Sequence, residues 1–144
     1  MANEKQQKQI RLKVFRSLCW HDCDFMCSYI PLPTTVIAHM LGISLYQCRK
    51  QMRILVQDGL AESCSCVVDR EEFPLPYHGF RITEKGRKTD IAKYCQLQHA
   101  RICAKCFGSK VESWLPSDFD KRWLSKEDGN EFCRYIRSYR TKGN

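Results

Sequence analysis

Residues 34–60 read TTVIAHMLGISLYQCRKQMRILVQDGL. Val36, Ile37, Met40 and Leu41 recur at helical spacing, and Thr34 or Thr35 can cap the start after Pro33. Gly42 stops that helix, because a left-handed turn residue is best supplied by glycine. Ile43 plugs the turn. Ser44 caps a second helix, with Gln47 three residues on as its capping-box partner. That helix gathers Leu45, Cys48, Met52 and Leu55 on one face and leaves Tyr46, Gln47, Arg49, Lys50 and Arg53 on the others. Gly59 ends it.

Two helices that cross tightly need a small residue at the contact, and Ala38 supplies it. Ala38, Gly42 four residues on and Cys48 six further have the spacing of a helix-turn-helix. With Met52, Leu55 and Gly59-Leu60 the run resembles the winged-helix transcriptional regulators of the MarR-like and PadR-like families. A second stretch carries the same resemblance: Gly79-Phe80-Arg81-Ile82-Thr83-Glu84-Lys85-Gly86-Arg87 is similar to the strand-to-helix exit of their wing. The likeness spans Thr34 to Lys88, 55 of the 144 residues. It implies a fold more sharply than a function, because winged helices also serve as protein-binding modules. Two core helices of some other helical domain are the plainer reading of the same pattern.

A chain of 144 residues with 43% hydrophobic content suits one small domain plus an extension. No stretch approaches the ~20 apolar residues of a membrane span. The start, MANEKQQKQIRLK, is charged and has no apolar signal region, so the expected compartment is the cytoplasm. There, ten cysteines point to buried thiols or metal ligands rather than disulfides. The net charge of +8 is uneven. Residues 1–30 hold five basic and three acidic groups (+2), residues 31–90 eight and seven (+1), and residues 91–144 eleven and six (+5). Such basicity fits a nucleic-acid partner.

Lys5 to Trp20 reads as a first helix, with Ile10, Val14, Phe15 and Leu18 as its stripe and Lys8, Arg11, Lys13 and Arg16 elsewhere. Phe25 to Ile30 has the composition of a short strand. Ala61 to Val68 and His78 to Ile82 read as antiparallel strands. The connection Asp69 to Tyr77, DREEFPLPY, contains two prolines and reads as a loop. From Leu60 to Glu84 there are five acidic and two basic groups, a net −3. A wing that embraces phosphates should be basic at its tip, so this departs from the DNA-binding pattern. Thr83 can cap a long helix to Phe107, stopped by Gly108. Lys110 to Trp123 is loop-like, with Trp114, Leu115, Phe119 and Trp123 to bury, and Asn130 to Arg140 places Phe132, Tyr135, Ile136 and Tyr139 on one helical face.

The basic face of the second helix carries the strongest functional signal. Arg49, Lys50 and Arg53 can reach phosphates, and Tyr46, Gln47 and Lys50 sit where base edges are read. Ser44 at the helix start and Arg81 in the wing complete the expected DNA-contact set. The plainer reading is a solvated charged face. Cys95, His99, Cys103 and Cys106 have ligand chemistry, but a helix rises ~1.5 Å per residue, so Cys95 and Cys103 are about 12 Å apart along it. One zinc ion, with bonds to sulfur of ~2.3 Å, cannot take both. The workable set is Cys103 and Cys106 with His99 or Cys133, set against cysteines acting as small apolar residues on a buried face, which the spacing favours. Cys19, His21, Cys23 and Cys27 form a second group, and Cys64 and Cys66 share one side of a strand.

The expected architecture is mainly α with a small β-hairpin wing: a winged helix-turn-helix over residues 1–90 and a helical, basic, aromatic extension over 91–144. No catalytic motif stands out, so no enzyme and no cofactor is expected, and zinc is the one metal the residues could take. The expected function is sequence-specific binding of double-stranded DNA by a small cytoplasmic regulator. A homodimer is expected through Ile91, Cys95 and Ile102, the ridge on the long helix. The alternative is an adaptor or inhibitor, of the size of a phage or mobile-element accessory protein, that binds a protein partner through the same platform.

Overall fold

The computed structural model describes residues 3–24, 28–70 and 73–125, a mainly helical chain in which one two-stranded antiparallel hairpin follows three helices. The arrangement is consistent with a winged-helix-like one. Helix α1 spans Glu4–Cys23 and starts in a full capping box: Asn3 accepts from Gln6 N at 2.8 Å, and Asn3 N donates to Gln6 Oε1 at 3.0 Å. Helix α2 spans Thr34–Leu41. Its cap position is Pro33, not a threonine, and no side chain caps it. Gly42 follows at φ 65°, the left-handed stop read from the sequence. Helix α3 spans Leu45–Gln57, and Ser44 Oγ accepts from Gln47 N at 3.1 Å. The return bond of the capping box is not made, since Gln47 Oε1 has no hydrogen-bond partner.

The hairpin is longer than its sequence suggests. Strands β1 (Ala61–Arg70) and β2 (Phe73–Ile82) pair without a bulge from Ala61↔Ile82 to Arg70↔Phe73, so most of the expected Asp69–Tyr77 loop is strand. The two prolines do not interrupt it, for a reason visible in the register. Phe80 N and O both bond Leu32, at 3.0 and 2.9 Å, so Phe80 turns its backbone away from β1. Orientation alternates along a strand, so Pro76 and Pro74 also face away and deprive β1 of no hydrogen bond. The same Leu32–Phe80 bridge places a strand-like contact just after the expected Phe25–Ile30 strand. Residues 25–27 lie outside the described residues, and 28–30 are turn.

The long helix expected from Thr83 is broken in two. Helix α4 spans Glu84–Arg87, and α5 spans Asp90–Phe107 with its own cap at Thr89. One core joins α1, α2, α3, the hairpin and α5. It takes Leu12, Val14, Phe15 and Leu18 from α1, Ile37 and Ala38 from α2, Cys48, Met52 and Leu55 from α3, Ala61 and Ile82 from the hairpin, and Ile91, Ala92 and Cys95 from α5. Each fully covered large side chain contributes about 1.5–3 kcal/mol. Gln51 is the polar exception on the buried face of α3, and its amide atoms have no hydrogen-bond partner. Lys8, expected outside, is 6% exposed and extends its Nζ to Glu4 at 3.3 Å.

Past Gly108 the chain turns back through 3-10 turns at Val111–Trp114 and Lys121–Ser125. Trp123 is buried against Tyr94 and Leu97 of α5, with Leu115 and Phe119 beside it. The expected helix at Asn130–Arg140 lies outside the described residues. Among the described residues no helix is long and apolar enough to cross a membrane.

Candidate nucleic-acid interface

Helix α3 sorts its residues by angle. At about 100° per residue, Tyr46, Arg49, Lys50 and Arg53 gather on one side, while Cys48, Gln51, Met52 and Leu55 fall opposite, in the core. Tyr46 is 72% exposed, Arg49 and Arg53 are exposed, and Lys50 is half-buried. Arg49 and Arg53 stand four residues apart, about 6 Å along the axis, one turn above the other on the same side. Ser44 is exposed, with its hydroxyl engaged as the helix cap.

Two expected contacts are placed differently. Gln47 falls on the flank between the two faces, half-buried, with Oε1 shut off from solvent. Arg81 is held by Glu62 through a 2.7 Å ion pair across the hairpin, and this contact raises its guanidinium above the ordinary range. Its charge is therefore already answered within the chain.

A feature of the surroundings escaped the reading by motif. From Lys5 to His21 and from Ser28 to Gln57 there is no Asp or Glu, while these stretches carry Lys5, Lys8, Arg11, Lys13, Arg16, Arg49, Lys50 and Arg53. Net charges over blocks of the chain hid this, because the acidic groups cluster at helix ends and in the hairpin. The missing carboxylates were the available signal. Carboxylates thus occur only at the two ends of α1 and nowhere in α2 or α3, although Lys8 is buried and paired with Glu4.

The cysteines form a different kind of group. Cys19 and Cys95 are buried together in the core, and Cys23 packs against it. Burial pushes the Cys19 thiol well up, the Cys23 thiol to about 12 and the Cys95 thiol to about 11, reinforced for Cys19 and Cys23 by the neighbouring Cys95. Cys103 is buried with Sγ 3.7 and 3.8 Å from the two ring nitrogens of His99, whereas Cys106 is exposed. Helix α5 stays regular to Phe107, so Cys103 and Cys106, three residues apart, are neighbours along one side of it. Among the described residues no group of three or more His, Cys, Asp or Glu is arranged to hold a metal, and Cys133 lies outside them.

Cys23 lines a cleft of about 520 Å³ with Asp22, Arg87 and His99, so a reagent can reach it. Its high pKa should still keep it a thiol. Alkylation by iodoacetamide at ~pH 8, followed by peptide mapping, is expected to be about 30-fold slower at Cys23 than at an ordinary exposed thiol. Cys106 should label quickly, and rates within threefold of each other would show that burial does not govern these thiols.

The dimer ridge is also corrected. Ile91 and Cys95 are 6% and 1% exposed because α1 covers them within one chain, and only Ile102, at 51%, remains open. No family model, curated protein or solved structure matches this chain.

Proposed function

We propose that this chain is a winged-helix protein that binds double-stranded DNA, with α3 entering the major groove. The observation that carries the reading is the exposed Tyr46–Arg49–Lys50–Arg53 face, set in α-helical surroundings that lack any carboxylate from Ser28 to Gln57. Arg49 and Arg53 hold phosphates. Lys50 and Tyr46 face base edges, the lysine suited to guanine O6 and N7. Ser44 caps the entering end. The reading is of a cytoplasmic, non-enzymatic regulator of transcription.

The wing plays little part in this binding. Glu62 neutralises Arg81, β1 carries Asp69, and the sequence between the strands adds Glu71 and Glu72. That acidity also favours a second reading, in which the same platform serves a protein partner. A titration of labelled random duplex against the full chain separates the two. Binding should be measurable at ~50 mM salt and fall linearly in log K against log salt. A protein that leaves the duplex free at ~50 mM, where phosphate contacts are strongest, is not a DNA-binding one.

A further inference from the structure

We infer that the outer edge of β1 pairs with the same edge of a second copy, joining two hairpins into a four-stranded antiparallel sheet. The inference stands apart from the DNA reading. It begins with hydrogen bonds. A two-stranded sheet has two open edges, and among the described residues this sheet has only β1 and β2. The edge of β2 is closed. Leu32 occupies it at Phe80, and Pro76 and Pro74 have no N–H to offer at the next outward positions but one.

The edge of β1 has none of these guards. Ser63 lies opposite Phe80, and since Phe80 faces away from β1, Ser63 faces away from β2. Ser65 and Val67 repeat that orientation. Three successive outward positions therefore offer both a donor and an acceptor. No backbone hydrogen bond reaches them from outside the hairpin among the described residues. The ladder has no bulge, and these positions hold no lysine, no proline and no charge. Val67 is 65% exposed. A regular edge without such guards is a template for another strand.

Its best-matched occupant is itself. Antiparallel pairing about a two-fold axis puts the outward groups of one β1 against those of the other, and no like charges meet at Ser63, Ser65 or Val67. Several registers fit the alternation, two of which bring Cys66 to a cysteine. One sets Cys64 opposite Cys66 of the second copy, and the other sets Cys66 opposite Cys66. Both are non-hydrogen-bonded pairs, where side chains approach most closely. This interface replaces the α5 ridge, which the chain covers by itself.

Sedimentation velocity of the full chain under reducing conditions at ~10 µM should give twice the mass of the 17.0 kDa chain. Val67→Pro removes one outward N–H and no bond to β2, so it should weaken the dimer by about tenfold or more while leaving the far-UV spectrum unchanged. Val67→Lys, which keeps the backbone free, should weaken it too. Oxidation by dioxygen with copper–phenanthroline should yield an interchain disulfide mapped to Cys64 or Cys66. A single-chain species in the wild type would overturn the inference. So would a dimer that persists in both variants and cross-links elsewhere.

Discussion

Replacing Arg49 and Arg53 together by alanine is expected to weaken duplex binding roughly 60-fold at ~0.1 M salt and to lower the slope of log K against log salt by about 1.8, two phosphate contacts at ~0.9 each. The loss should be similar on unrelated sequences, because phosphates carry no sequence information. Both side chains are exposed on one face of α3, so the double variant should fold normally. Lys50→Ala should behave differently, costing about 1–3 kcal/mol on a preferred site and less elsewhere. Gln47→Ala, which the sequence alone would rank beside it, is expected to change discrimination little, since its Oε1 is turned from solvent. A double variant that keeps the wild-type slope would remove α3 from the interface.

Gly79→Ala and Gly86→Ala are each expected to destabilise the fold by about 2–3 kcal/mol, the upper part of the range for forced overpacking. At Gly79 a methyl would stand 2.6 Å from Leu32 C and O and 2.8 Å from Pro33 N. At Gly86 it would stand 2.5 Å from Leu60 O. These neighbours are backbone, held by the Leu32–Phe80 bridge in one case and by the Leu60 N–Leu55 O and Thr83 N–Leu60 O bonds in the other, so they cannot swing aside. Gly42 and Gly108 make the contrast. Both have φ 65° with nothing within 4 Å, and alanine there should cost only about 1 kcal/mol of left-handed strain. Urea midpoints at constant slope measure all four. Equal costs across the set would mean that the close approaches are relieved by small backbone shifts.

The glycines show where sequence and structure divide. Gly42 could be read in advance because its demand is local: a helix must stop, and φ turns positive. Gly79 and Gly86 could be noticed within a familiar run, but their reason is a second piece of backbone, Leu32 and Pro33 in one case and Leu60 in the other, far along the chain. The prolines of β2 follow the same rule. Proline argues against a strand unless its missing N–H points outward, and only the register, fixed here by Leu32, says which way it points.

By itself the sequence determined α1, the α2–turn–α3 unit, the Ser44 cap, the existence of a hairpin and the exposure of Arg49 and Arg53. Each follows from interactions within about one helical turn or from the period of apolar residues. Tertiary structure alone decided the rest. It covered Ile91 and Cys95 with α1, turned Gln47 into the flank, tied Arg81 to Glu62, buried Cys103 beside His99, and left β1 as the unguarded edge. A periodic pattern shows that a face must be covered, but its cover depends on contacts between residues far apart in the chain, which no local spacing encodes.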